Sequence, residues 1–255
     1  MTIISSTEAL LVVGFAFVLG GLVKGLVGFG LPLVTIPILS SIASIPEAVA
    51  LNFLPVIFSN VVQITETRHA RAVLMRIWPL LVTTVVVLYF GSVFLTTLDK
   101  RVLQAAIGVM IIGHVALEQR GLVLNLTPKM ERLALSAAGL VAAMLGSVSS
   151  FCMFPSIQLL HSMRLTRDQF VLAVCVFLLL AYVALWFGLL RQGVPVTGLL
   201  LDSLVCTVPL IAGTLLGSVL RNRVSQATFR QWVKWGLVAT GAVLILRQLT
   251  PWLLK

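Results

Sequence analysis

Charge is scarce in this sequence of 255 residues, because only 10% of them are Asp, Glu, Lys or Arg. A soluble domain of ordinary composition carries about 25% charged residues. Hydrophobic residues make up 59% of the chain instead. No stretch is both long and polar enough to form a separate soluble domain, so the composition excludes a soluble globular protein.

Several chemical signatures are also missing. No Walker, HExxH or GxSxG motif occurs, so nothing predicts ATP hydrolysis or a hydrolase that uses these motifs. The three cysteines, Cys152, Cys175 and Cys206, are scattered through apolar segments without CxxC spacing, and we interpret them as packing residues. The sequence therefore predicts no enzyme, no metal site and no bound cofactor.

Carboxylates are missing from the middle of the apolar segments. All eight Asp and Glu residues fall at or near segment ends, whereas a cation pump or proton relay usually buries a carboxylate at mid-depth. No basic residue precedes the first apolar run, so a cleaved signal peptide is not expected. We attribute the net charge of +10 to loop residues that set membrane orientation and contact anionic lipid, not to nucleic-acid binding.

What the sequence has in abundance is continuous apolar runs. Eight of them approach the ~20 residues that a helix needs to cross ~30 Å of hydrocarbon. Two shorter runs, interrupted by Gly, Pro and Ser, follow the first and the fifth. The sequence thus predicts an all-α polytopic membrane protein with long segments at 8–26, 47–66, 77–98, 102–118, 132–148, 168–190, 199–220 and 233–250, and short ones at 29–44 and 149–163.

The two halves of the chain share features in the same order. A glycine followed nine residues later by a proline recurs at an offset of 118, and later glycine matches have offsets of 126 and 128. Slowly growing offsets are typical of a duplication with small loop insertions, so we predict repeats at 1–124 and 125–255. The matched pairs are Gly28 and Gly146, Pro37 and Pro155, Gly91 and Gly217, Gly108 and Gly236, and Gly113 and Gly241.

The distribution of basic residues favours ten crossings over eight. If the short runs do not cross, nine of the 18 Lys and Arg residues fall on each face. If both cross, one face holds thirteen and the other five, which is the asymmetry that the positive-inside rule expects. Five crossings per repeat make the second repeat inverted and place both termini in the periplasm. Re-entry of a short run on the same side stays open.

The interrupted runs are the predicted binding site. A helix that restarts after a glycine break points unpaired amide N–H groups and the positive end of its dipole at its N-terminus. Two such ends, with serine hydroxyls in the second, are predicted to meet and form an anion site, although glycines in membrane helices often serve close packing instead. The predicted residues are Gly28, Phe29, Gly30, Gly146, Ser147, Ser149 and Ser150.

Polar residues in the long segments extend this prediction. Asn52, Asn60 and Gln63 share one helical stripe after the first break and are predicted to line the cavity, with interhelical hydrogen bonding as the alternative. Lys24 ends the first helix, and we interpret it as reaching the cytoplasmic interface, with attraction of an anion as the alternative. The weaker candidates for the cavity are Gln158 and Tyr182.

The motifs around both breaks resemble those of the TauE/SafE family of membrane transporters. The first half contains GLVKGLVGFGLPLVTIPIL followed by IPEAVALNFLP, and the second contains GSVSSFCMFPSIQLLHSMRLTRDQF. The closing stretch, PLIAGTLLGSVLRNRVSQATFRQWVKWGLVATGAVLILRQL, is similar to the last two helices of that family. The resemblance implies export of a small anion of the sulfite or organosulfonate class across a bacterial inner membrane, without a cofactor.

The sequence departs from the family pattern in both glycine elements. Leu31 and Pro32 stand where a run of three glycines would continue, and the second element reads Ser-Val-Ser-Ser. Both changes alter the predicted pocket. An anion channel and a membrane-embedded enzyme or assembly factor are the alternative functions. The expected partners are a small anionic substrate and membrane lipid, without nucleic acid, and a homodimer is left open.

Overall fold

The computed structural model describes residues 6–65, 70–118 and 127–220, together with Gln231, Trp235 and Ala242. Every regular element within these residues is helical, so the prediction of an all-α chain is confirmed. The predicted segment at 233–250, with Gly236 and Gly241, lies outside the described residues, apart from Trp235 and Ala242. The helices are α1 Thr7–Val27, α2 Leu31–Leu39, α3 Ile45–Thr65, α4 Ala70–Gly91, α5 Val93–Thr97, α6 Lys100–Glu118, α7 Pro128–Ser149, α8 Ser156–Ser162, α9 Arg167–Arg191 and α10 Leu200–Leu220.

Membrane-length helices dominate the described part of the chain. Six spans are long and apolar enough to cross a bilayer, and α6 follows the predicted segment at 102–118 with 19 residues. Leu11, Leu133 and Leu201 are 68%, 73% and 75% exposed, as expected of side chains that contact lipid tails. The chain is therefore a multi-pass membrane protein. The spans are Thr7–Val27, Ile45–Thr65, Arg71–Thr97, Lys129–Ser149, Asp168–Arg191 and Val196–Leu220.

The helices form two compact units, and each unit takes helices from both halves of the sequence. Unit 1 contains α1, α2, α3 as far as Pro55, α6 as far as Ala116, and α10. Unit 2 contains α3 from Val56 onward, α4, α5, α7, α8 and α9. The units therefore differ from the sequence repeats predicted at 1–124 and 125–255, which stay a prediction.

In unit 1, glycines allow α1 and α10 to pack in direct backbone contact. A methyl group on Gly21 would collide with the Leu210 carbonyl, and one on Gly25 would collide with the Thr214 carbonyl. The Cα of Gly217 would lie 3.1 Å from the same methyl group on Gly25. Because later residues of α1 meet later residues of α10, the two helices run in the same direction.

The short helix α2 folds back along α1. A methyl group on Gly20 would lie 2.7 Å from Leu31 Cδ1 and 2.8 Å from Thr35 Cγ2, although Thr35 is fifteen residues further along the chain. The turn after α2 is fixed by the start of α6. Lys100 Nζ donates to the Ala43 carbonyl (3.2 Å) and Gln104 Nε2 donates to the Ser40 carbonyl (3.0 Å).

In unit 2, α4 and α7 also run in the same direction. Near their starts, Arg76 and Glu131 form a two-pronged ion pair, with Nε to Oε1 and Nη2 to Oε2 distances of 2.7 Å. Further along, a methyl group on Gly139 would lie 2.8 Å from the Leu80 carbonyl oxygen. At the far end, a methyl group on Gly91 would collide with the Ser147 hydroxyl.

The helix α9 runs in this direction too, because its end contacts the end of α4. The Arg191 guanidinium carbon lies 5.6 Å from the centre of the Tyr89 ring, and a methyl group on Gly188 would collide with the Ser92 side chain. Since α7 and α9 are parallel, residues 150–166 must bring the chain back to the level at which α7 starts. At the end of α8, His161 stacks on Phe170 of α9 at 4.1 Å.

Equivalent helix caps recur in the two halves at a constant offset of 122. Gly28 and Ser150 both end a long helix in the left-handed conformation, and each N–H donates over 2.7 Å to the carbonyl four residues earlier. Ser44 and Glu47 form a reciprocal cap at the start of α3, and Thr166 and Gln169 form the same cap at the start of α9. The structural counterpart of Gly28 is therefore Ser150, one helical turn after the predicted Gly146.

Candidate functional site

The first break lies between α1 and α2 and is built by two glycines. Gly28 has a φ of 96° and Gly30 a φ of 103°, which are left-handed conformations that side chains with a Cβ disfavour. The predicted restart of a helix after the first glycine break is confirmed, because α2 begins at Leu31. Phe29 is half-buried between the two glycines. The chain thus reverses direction within three residues.

The N-terminus of α2 has no side-chain cap. Gly30 occupies the cap position and makes no side-chain hydrogen bond, and Pro32 lies in the first turn, where its missing N–H is tolerated. The first amides of a helix carry partial positive charge when no side chain caps them. This end of a nine-residue helix is therefore suited to an anionic group.

Lys24 lies beside this break and is buried. Its side chain is only 3% exposed in the last turn of α1, so the interpretation that it reaches the cytoplasmic interface is wrong. It is surrounded by protein because the small residues Gly20, Gly21 and Gly25 let α2 and α10 approach α1 closely. Its position one turn before Gly28 is suited to the alternative role of attracting an anion.

Polar groups on α2 and α3 in unit 1 satisfy each other. Thr35 Oγ1 lies 2.6 Å from Asn52 Oδ1 and 3.0 Å from the Leu31 carbonyl oxygen, and Asn52 Nδ2 donates to the Ala48 carbonyl (2.9 Å). Asn52 is fully buried. It therefore makes the interhelical hydrogen bond that was the alternative to a cavity-lining role.

Pro55 interrupts the hydrogen bonds of α3, and Ser203 of α10 repairs them. A proline inside a helix cannot donate to the carbonyl four residues earlier, here that of Leu51. Ser203 Oγ donates to this carbonyl (3.0 Å) and accepts the N–H of Leu54 (3.0 Å). The irregular backbone is thereby satisfied within unit 1, as membrane helices require.

The second break begins at Ser150, later than predicted. Gly146 and Ser147 lie within the last turn of α7. The Ser147 hydroxyl donates to the Ala143 carbonyl (2.8 Å), and the Ser149 hydroxyl donates to the Leu145 carbonyl (2.7 Å) and accepts the N–H of Phe151 (3.1 Å). Serine hydroxyls bond back to their own helix in this way when no other partner competes.

Ser150 differs from the other two serines. It adopts a φ of 59°, and among the residues that the structure describes, no hydrogen-bond partner lies within reach of its buried hydroxyl. Of the three serine hydroxyls that the sequence assigned to this element, only that of Ser150 is thus available to a ligand. The helix that follows, α8, has only seven residues, so a strong dipole at its N-terminus is not part of this element.

The remaining predicted residues lie on the second half of α3. Asn60 is 1% exposed. Gln63 is half-buried, and the Cys175 thiol of α9 donates to its Oε1 (3.2 Å), which is an interhelical contact within unit 2. Within the described ranges, no three His, Cys, Asp or Glu side chains converge as metal ligands.

Comparison with known proteins gives one match. The family described as Sulfite exporter TauE/SafE matches residues 13–244, which is most of the chain and includes both breaks. No curated protein and no solved structure matches the chain.

Proposed function

Because the chain belongs to the sulfite exporter TauE/SafE family, we propose that it is a secondary transporter that exports a small organic or sulfur-containing anion across a bacterial inner membrane. The family match over residues 13–244 is the observation that carries this proposal. The members of such a family move solutes and do not transform them, which agrees with the absence of hydrolase motifs from the sequence.

The first break supports an anionic substrate. Gly28 and Gly30 turn the chain so that α2 starts without a side-chain cap, and the buried Lys24 adds a full positive charge one turn before Gly28. Partial charges from amides together with an ammonium group favour an anion over a cation. We propose that this element attracts the substrate and holds one of its oxygens.

We further propose ten crossings in two inverted repeats, with both termini in the periplasm. The parallel directions of α4, α7 and α9 support this arrangement, because they require the short run after α7 to change sides. The equivalent caps at an offset of 122 support the duplication. In this topology twelve basic residues, without the buried Lys24, face the cytoplasm and five face the periplasm, as the positive-inside rule favours. Transport proceeds by alternating access of the two repeats.

The membrane potential is a sufficient source of energy for export. An anion that leaves a cell with a negative interior gains about 2.3 kcal/mol per charge per 100 mV. Efflux driven in this way needs no proton-carrying carboxylate at mid-depth. Asp202 is a buried carboxylate of the described helices, and it lies in the first turn of α10, at a helix end.

Counterflow in proteoliposomes tests the proposal. Vesicles loaded with unlabelled sulfite, isethionate, taurine or acetate are diluted into the labelled compound, and a carrier accumulates label transiently because loaded sites exchange faster than empty ones return. We expect saturable counterflow with at least one sulfur oxyanion. Flux that increases linearly with concentration and shows no counterflow identifies a channel, and no flux of any compound contradicts the proposal.

A further inference from the structure

From the end of α7 onward, unit 2 contains three side chains whose polar atoms are buried without a partner in the described part of the chain. They are the hydroxyls of Ser150 and Tyr182, and both amide atoms of Gln158. Ser150 is 2% exposed and Tyr182 is 1% exposed. Folded proteins leave few buried polar groups unpaired, because each such group costs about 1–3 kcal/mol. Three of them on connected helices therefore require an explanation.

The three residues lie on three successive elements, from the end of α7 through α8 to α9. Ser150 ends α7, Gln158 lies on α8, and Tyr182 lies on α9, and α8 packs against both of the other helices. Cys152, two residues after Ser150, folds back onto the last turn of α7, where its Cβ would lie 2.8 Å from a methyl group on Gly146.

Two other buried hydroxyls without a described partner have a different setting. Thr84 lies where α4 crosses α7, 3.1 Å from a methyl group placed on Gly139. Thr214 lies where α10 crosses α1, at Gly25. Each is a single group at a tight helix crossing. The group formed by Ser150, Gln158 and Tyr182 is distinct because its members lie on three successive elements that begin at the second break.

We infer that Ser150, Gln158 and Tyr182 bind the oxygens of the transported anion, which is an inference that rests on the proposed function. Each residue carries an uncharged donor: a serine hydroxyl, an amide N–H or a phenol hydroxyl. Sulfite and sulfonate groups present several acceptor oxygens to such donors. The binding of one of these anions would satisfy the hydrogen-bonding capacity that the fold leaves open.

Neutral donors suit a carrier that must also return empty. When the substrate leaves, each hydroxyl or amide left unpaired costs about 1–3 kcal/mol, which a folded protein can tolerate. Hydrogen-bond donors bind an anion through the number and the orientation of their hydrogen bonds, and they can be left unpaired when the anion leaves. The second break is therefore the part of the protein that selects the substrate by its oxygen geometry.

The test compares two variants and two control variants of the full-length purified protein, in detergent, by melting temperature and by Kd for sulfite, isethionate and acetate. Tyr182→Phe and Gln158→Leu remove the unpaired groups, and Tyr89→Phe alters the other tyrosine of the chain, whose ring contacts Arg191. We expect Tyr182→Phe and Gln158→Leu to keep or raise the melting temperature without anion, because they remove unsatisfied groups. We expect them to weaken the binding of a sulfur oxyanion by about tenfold or more, and Tyr89→Phe to leave it unchanged.

Each other result is decisive. If the wild type binds a sulfur oxyanion and Tyr182→Phe and Gln158→Leu bind it equally well, the inference is wrong and the proposed function stands. If these variants melt lower without anion and bind normally, the side chains serve the fold and the inference is again wrong. If the wild type binds none of the three anions, the proposed function itself is contradicted. Gln104→Leu removes an existing hydrogen bond to the Ser40 carbonyl. It shows how far the melting temperature falls when a structural glutamine is lost.

Discussion

The two breaks have the same cap and opposite chemistry. Each long helix ends in a left-handed residue, Gly28 in one half and Ser150 in the other. Around the first break, Thr35 and Asn52 satisfy each other through a 2.6 Å hydrogen bond. Around the second, the Ser150 hydroxyl has no partner among the described residues. The two breaks therefore share a backbone geometry, but the polar side chains near the first are hydrogen-bonded to each other, whereas the Ser150 hydroxyl at the second is not.

The two breaks also differ in the charged side chain that precedes the left-handed residue. At the offset of 122 that the caps define, the residue that corresponds to Lys24 is Gly146. The first break thus has a buried cation one turn before its left-handed residue, and the second has a glycine against which Cys152 packs. The comparison indicates a division of labour, with fixed positive charge in one element and adjustable hydrogen bonding in the other.

The largest effect is expected at the helix crossing in unit 1. Gly25→Leu places a side chain against the backbone of Thr214 and Gly217, which cannot move without separating α1 from α10, and overpacking of this kind costs about 1–3 kcal/mol or more. We expect little folded protein by size-exclusion chromatography. The smaller change in unit 2, Gly91→Ala, meets the hydroxyl and the Cβ of Ser147, both of them side-chain atoms, so the folded yield should fall less than in Gly25→Leu. A loss in Gly91→Ala as large as that in Gly25→Leu would contradict this comparison.

The second largest effect concerns transport and not folding. Gly30→Ala and Gly193→Ala both place a Cβ at a positive φ, 103° and 76° respectively, and each should cost about 1–2 kcal/mol of stability. Gly193 follows α9 and has open space around it, whereas Gly30 begins α2. We expect counterflow to fall at least tenfold (roughly 1.4 kcal/mol) in Gly30→Ala only. Normal counterflow in Gly30→Ala would remove the first break from the mechanism.

The third prediction compares the two polar settings by melting temperature without anion. Thr35→Val leaves the buried Asn52 oxygen without its donor, which should lower the stability by about 1–3 kcal/mol. Ser150→Ala removes a hydroxyl that has no described partner, so its melting temperature should not fall. A fall of similar size in both variants would mean that the two breaks are alike in how their polar groups are satisfied.

The all-α architecture was predictable because it depends on composition and segment length, which the sequence states directly. The first break was predictable for a local reason, because two glycines and a proline at residues 28–32 disfavour a continuous helix. The function class was predictable from the family motifs around both breaks, which are visible in the sequence itself.

The second break was misplaced by one turn because Gly146 is the obvious helix breaker, and the chain places a serine in the left-handed conformation instead. Lys24 was misread because its burial depends on α2 folding back and on α10, which is distant in sequence. The hydrogen bond between Thr35 and Asn52 has the same origin. Spacing alone reveals which residues share a helical face, and it does not reveal which partner that face meets.

The smallest effect tests the duplication through the caps. Ser44→Ala removes the side chain that accepts from the Glu47 N–H and donates to its carboxylate, and Thr166→Ala removes the equivalent acceptor for the Gln169 N–H. Loss of such a cap costs about 0.5–2 kcal/mol. Each cap starts a long helix sixteen residues after the left-handed residue of its half, so the two variants should lower the melting temperature by similar amounts. Ser6→Ala removes an exposed acceptor at the start of α1 and serves as the weaker reference. If the melting temperature falls strongly in one variant and not in the other, the two caps contribute differently to stability. The offset of 122 would then relate residues of equivalent geometry that do not stabilise their helices equally.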